Sequence, residues 1–127
     1  MADVNRGNRP LSPHLQIYRP QISSVLSVFH RITGVALTLA AVLVVWWLLA
    51  AATSPQYFAT VNGLLTSWLG QLVMFGSTWA LAYHMLNGIR HLAWDIGWGF
   101  ELETVDKTGI AVVIGSAVLT VLLWLIA

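Results

Sequence analysis

Between Arg31 and Arg90 the chain runs for 58 residues, Ile32 to Ile89, without one Asp, Glu, Lys or Arg. A small soluble domain cannot carry such a gap, because it buries little of its surface and must cover the rest with polar groups. Over the whole 127 residues 9% are charged and 57% hydrophobic, against roughly 25% charged in an ordinary soluble domain. A soluble enzyme, a nucleic-acid binder and a disordered tail are excluded on these grounds. The net charge of +1 gives no pull toward acidic partners. With no cysteine, the chain supplies no disulfide, thiolate zinc site, iron–sulfur ligand or covalently attached haem.

A membrane helix needs about 20 mostly apolar residues to cross roughly 30 Å of hydrocarbon. Three stretches meet that length: Ile32–Ala52, Trp68–Ile89 and Gly109–Ala127. The expected fold is an all-α membrane protein of three transmembrane helices. These cores (32–52, 68–89 and 109–127) belong to an anchor over 25–127, preceded by an N-terminal arm over 1–24. The helices are expected to run past the apolar cores at their charged ends. Ser54-Pro55 reads as a break in a first loop, Thr53–Ser67, and His91–Thr108 as a polar second loop in which Glu101, Glu103, Asp106 and Lys107 are solvated. A cleaved secretion signal fits poorly, since the apolar stretch exceeds the usual 7–15 residues and its leader is too long.

Lys and Arg near the spans set orientation. Arg6, Arg9, Arg19 and Arg31 precede the first core, Arg90 and Lys107 flank the second loop, and neither the first loop nor the C-terminus has a cation. The arm and second loop are therefore expected in the cytoplasm, with the first loop and C-terminus outside. Trp46, Trp47 and Trp68 at one boundary, and Trp94 and Trp98 at the other, suit aromatic belts. Three of the four prolines lie in the arm, which reads as irregular or extended cytoplasmic chain. No Arg- and Ser-rich presequence is evident, so a bacterial inner membrane is expected ahead of a mitochondrial one.

In so apolar a chain the polar residues at membrane depth carry the functional signal, each being costly unless paired. Ser27, His30, Arg31 and Gly34 are spaced to share one helix face, and so are His84, Asn87, Gly88, His91 and Asp95. Both clusters lie toward the expected cytoplasmic side and can face each other across a helix pair. His84 is the sharpest residue, about 9 Å along the axis before Arg90. An imidazole there needs a hydrogen bond to a neighbouring helix, a proton relay or a metal. Zinc fits poorly, because His84 and His91 lie about 10 Å apart along the axis with no thiolate or placed carboxylate to complete a tetrahedron. A haem iron fits better, since it takes one axial imidazole per side and accepts ligands from two chains. Gly88 would leave room for a porphyrin or, equally, for a close helix contact. Arg31, Arg90, His30 and His91 would ring such a haem, although both arginines also fit plain interfacial anchoring. The third core, without charge or histidine, has packing as its only evident role.

Two motifs carry a family resemblance: Arg9-Pro10-Leu11, Leu15, Ile22 and Ser27-x-x-His30-Arg31-x-Thr33, then His84-x-x-x-Gly88-Ile89-Arg90-His91-Leu92-x-Trp94-Asp95-x-Gly97. With the three spans, the chain resembles the cytochrome b membrane-anchor subunit of succinate dehydrogenase, respiratory complex II of the tricarboxylic acid cycle. The resemblance implies a haem b with His84 as one axial ligand and a histidine of a second small anchor subunit as the other. It implies His30, Arg31 and His91 beside the haem propionates, and Ser27 and Arg31 at the head group of ubiquinone, the electron-accepting substrate. Flavoprotein and iron–sulfur subunits would be the partners, with lipid around the anchor and no nucleic acid. Succinate oxidation would take place on those partners, so no catalytic residue is assigned here. Two alternatives remain: the anchor of a quinol:fumarate reductase, and a membrane anchor without haem.

Overall fold

The computed structural model describes residues 18–127; Arg6, Arg9, Pro10, Leu11 and Leu15 of the arm lie outside the described residues. Four helices follow in order, α1 (Ile22–Thr53), α2 (Pro55–Thr66), α3 (Trp68–Asp95) and α4 (Leu102–Ile126). Among the described residues there is no strand. A helix satisfies its backbone internally, which an apolar chain in lipid must do. Helices α1 and α4 are each long and apolar enough to cross a bilayer, and α2 with α3, bent by 73°, makes a third if the pair is taken as one span. The 32 residues of α1 extend to about 48 Å, well beyond a hydrocarbon core of roughly 30 Å. Its first turns, with Ser27, His30 and Arg31, thus precede the apolar core.

The first loop is not a loop. Ser54 ends α1 and at once caps α2, its hydroxyl accepting the Tyr57 N–H at 3.2 Å. Pro55 takes the first turn, where a missing N–H costs nothing. Ser67 repeats the device, accepting the Gly70 N–H at 3.2 Å to start α3. Two α1 tryptophans are tied to α2: Trp46 Nε1 donates to the Tyr57 hydroxyl at 2.7 Å and Trp47 Nε1 to Asn62 Oδ1 at 3.2 Å.

The second connection is shorter than its polarity implies. Helix α3 runs to Asp95 and α4 starts at Leu102, both past their apolar cores. Glu103, Asp106 and Lys107 therefore stand on the first turns of α4 rather than in a solvated loop, and an exposed Lys107–Glu103 pair closes at 2.6 Å. Gly97 turns the chain with φ +83°, while its N–H bonds to Trp94 O at 2.8 Å and that of Trp98 to Ala93 O at 3.0 Å. Only glycine takes that left-handed conformation at little cost.

The core is small: Leu26 of α1, Tyr83 of α3 and Val112 of α4, flanked by Leu86. Close helix contacts use small residues such as Ala80, Ala82, Gly109 and Ser116, as membrane helices do when van der Waals contact must replace hydrophobic drive. At Gly109 a Cβ would come within 2.6 Å of Leu26 Cδ1. Large apolar side chains such as Val35, Leu39 and Val42 stay exposed.

Candidate functional site

The two polar clusters meet. His30 of α1 inserts its ring between two imidazoles of α3, 3.9 Å from His84 with an 8° interplanar angle and 5.0 Å from His91 at 24°. Seven residues place His84 and His91 about 10 Å apart along their helix, and one ring from the facing helix fills the interval. Gly88 lies beside it; a Cβ there would stand 3.9 Å from His30 Cε1. Of its two sequence readings, the structure thus brings Gly88 against a helix neighbour.

His84 is held in one orientation by its surroundings. Its Nδ1 lies 3.1 Å from the His30 carbonyl oxygen and 3.2 Å from Thr33 Oγ1. A carbonyl oxygen only accepts, so Nδ1 carries a proton, and in the neutral ring Nε2 keeps its lone pair. Gly34 makes the approach possible, since a Cβ there would stand 3.2 Å from His84 Cε1. His91 is fixed likewise, its Nδ1 2.7 Å from the Asn87 carbonyl. Tyr83, one residue before His84, is buried and donates to Leu26 O at 2.8 Å. That bond ties the helix carrying His84 to the residue preceding Ser27.

Of the two residues expected at a quinone, Arg31 is exposed and Ser27 partly buried. Arg90 departs from its expected place beside a haem. It points to α4 instead, 6% exposed. Nε donates to Thr108 Oγ1 at 3.0 Å, Nη2 to Val105 O at 2.7 Å and Nη1 to Asn87 Oδ1 at 3.3 Å. Its guanidinium also lies 4.2 Å over the Trp94 ring. The cause is angular: six residues beyond His84 on a 3.6-residue helix is about 120° away from it. The first turns of α4, before the third core and expected as part of the polar second loop, therefore supply two of the three acceptors for a buried cation, Val105 O and Thr108 Oγ1. Asp95 is exposed at the end of α3.

Sequence reasoning placed the histidines on facing helices but missed Thr33 and Tyr83 as their supports. A hydroxyl three residues after His30 was visible; that it would meet a ring on another helix was not.

The donor set suits a haem iron. No group of three His, Asp or Glu side chains converges for a metal among the described residues, whereas a haem asks one imidazole of this chain. His84 offers it with Nδ1 bonded to an oxygen, the arrangement metal-ligating histidines adopt. Beside it the buried His30 Nδ1 has no hydrogen-bond partner, a polar atom that an added acceptor or donor would satisfy.

Comparison with known proteins agrees with this chemistry. Residues 5–123 match the family described as succinate dehydrogenase/fumarate reductase transmembrane subunit. The chain is 54% identical over 122 residues to the succinate dehydrogenase cytochrome b556 subunit of Paracoccus denitrificans, covering 96% of this chain and 94% of that one. It is 48% identical over 116 residues to the cytochrome b556 subunit of Rickettsia conorii, covering 91% and 90%. With the cytochrome b560 subunit of Marchantia polymorpha it shares 40% over 121 residues, covering 91% and 88%. The charge-free gap, the facing histidines and these matches together place the chain in the succinate dehydrogenase/fumarate reductase transmembrane-subunit family, beside the cytochrome b subunits of succinate dehydrogenase.

Proposed function

We infer that this chain is the haem-b anchor of a succinate:ubiquinone oxidoreductase, holding the flavoprotein and iron–sulfur subunits at the membrane and forming part of the site where ubiquinone is reduced. The observation that carries the reading is the His84 ring, fixed through Nδ1 with Nε2 left to ligate. Relatives named for succinate dehydrogenase favour this direction over quinol:fumarate reductase.

In this reading three spans cross a bacterial inner membrane, with α2 and α3 taken as one bent unit. The cation distribution puts the N-terminus and the α3–α4 turn in the cytoplasm. The column of His84, His30 and His91 then lies toward the cytoplasmic side, and α2 at the outer boundary. A histidine of a second anchor subunit would hold the haem together with His84. When bound, the haem would supply a one-electron redox centre. His84 Nε2 would hold it, and the His84 ring is kept from turning by the His30 carbonyl. His30, Arg31 and His91 are the polar residues at hand for its propionates.

Reducing a quinone needs two electrons and two protons, with negative charge developing on oxygen. The Ser27 hydroxyl can donate to a quinone carbonyl, and the Arg31 cation favours charge on that oxygen. Both sit at the charged start of α1, where the proton route from the cytoplasm is short.

A reduced-minus-oxidised spectrum of the purified complex tests the haem assignment. His84→Leu should abolish or strongly alter the b-type bands, and an unaltered spectrum removes His84 as ligand. Ser27→Ala and Arg31→Leu should impair quinone reduction while succinate oxidation with a soluble acceptor persists. Unchanged quinone kinetics in both take them out of the site.

A further inference from the structure

His84 meets two oxygens through one nitrogen, and the two differ in kind. The His30 carbonyl belongs to the backbone and is present whatever side chain stands there. The other is Thr33 Oγ1, on a buried residue one turn after Phe29. Its single hydroxyl hydrogen lies among two acceptors of its own helix, Phe29 O and His30 O, each at 2.9 Å. A helical threonine commonly bonds back in this way. With that hydrogen spent on α1, the oxygen presents only lone pairs to α3, and the Nδ1–H of His84 lies 3.2 Å from them. Thr33 is thus held as an acceptor toward the imidazole rather than a donor.

We propose that Thr33 is a positioning residue that sets the electron-donating strength of His84, and through it the redox potential of the group that His84 holds. The inference rests on the reading of His84 as a haem ligand. An acceptor on the far nitrogen of a ligating imidazole draws its proton outward and makes the metal-facing nitrogen more basic. A more basic ligand favours the oxidised metal, so Thr33 holds the potential down. Gly34, next in sequence, works to the same end: it lets the ring come close enough for both oxygens to reach Nδ1.

The test uses the intact purified complex, with Thr33→Val, Thr33→Ala and Thr33→Ser, read by potentiometric titration of the b-type absorbance and by low-temperature electron paramagnetic resonance. Val and Ala should both move the midpoint potential in the positive direction, with a changed resonance signal, while Ser stays near the parent. The His30 carbonyl remains, so the shift belongs at the low end of the range for such supporting contacts, about tenfold in the one-electron equilibrium, or about 59 mV. Succinate oxidation with a soluble acceptor should stay at the parent rate in all three, so loss of assembly is not mistaken for tuning. If Val disturbs packing and loses haem, the smaller Ala decides. Val and Ala at the parent potential, with the b-type bands of His84→Leu lost or strongly altered, overturn the role of Thr33 and leave the ligand in place. Unaltered bands in His84→Leu overturn both.

Discussion

Replacing Arg90 by Leu separates two roles for a cation at the edge of the apolar region. The structure makes it a staple between α3 and α4, through Thr108, Val105 and Asn87. In membrane proteins such hydrogen bonds measure about 0.6 kcal/mol each by double-mutant cycle, so three amount to about 2 kcal/mol. Removing the guanidinium also strands Asn87, which is fully buried and whose Nδ2 already lacks a partner. An abandoned buried amide costs about 1–3 kcal/mol more. Arg90→Leu should therefore destabilise the chain by about 3–5 kcal/mol, on the sum of those two contributions. The double variant Arg90→Leu/Asn87→Leu should regain about 1–3 kcal/mol, since an amide that is gone need not be satisfied. Arg90→Lys should regain little, because one ammonium cannot span acceptors that a guanidinium fork reaches together. The assay is unfolding of the purified complex by added sodium dodecyl sulfate, followed by tryptophan fluorescence, with the b-type potential of the folded fraction as second readout. A double variant no more stable than the single one would refute the stranded-amide reasoning. A shifted potential with unchanged stability would return Arg90 to the haem.

Four further outcomes can be measured the same way. Tyr83→Phe deletes the bond to Leu26 O and should cost about 1 kcal/mol of stability. Gly109→Ala forces a Cβ to within 2.6 Å of Leu26 Cδ1 in the buried junction, an overpacking loss of about 1–3 kcal/mol. Gly63→Ala, with nothing within 4 Å, should instead be neutral or gain up to about 1 kcal/mol from helix propensity; equal effects at the two glycines would contradict the packing account. Ser54→Ala removes the cap of α2 and should lower stability by about 1 kcal/mol, seen as earlier loss of the Trp46 and Trp47 fluorescence environment.

The apolar cores of α1 and α4 could be read from the sequence because a run without charge has few other uses. Helix α2 escaped notice because Ser54-Pro55 is ambiguous on its face: the pair that stops one helix also starts the next. The start of α4 escaped for another reason. Glu103, Asp106 and Lys107 look like loop because they are charged, yet the i to i+4 pairing of Glu103 with Lys107 is a helix signal that was present. Helical spacing sufficed to put His30 and His84 on matching faces. It could not tell that His30 would slide between two rings, nor that Thr33 would reach His84, because both depend on the relative height of two helices. Arg90 was set with the haem although its angle argued otherwise: the spacing that groups His84 with His91 sends Arg90 elsewhere.

That relative height has a mechanical guard at the opposite end of the bundle. Helix α2 joins α1 through Ser54 alone and α3 through Ser67 alone, and Ser54 is already extended at φ −163° and ψ 154°. An extended single-residue joint holds no slack, whereas sliding α1 by one turn against α3 would need about 5.4 Å. Any such piston stroke must drag or unwind α2 and break the anchorage of Trp46 and Trp47. The spacing between the His30 carbonyl and the His84 ring is thereby constrained from the opposite end of the helices, so a lesion in that short crosspiece should be felt as a change in that distant spacing.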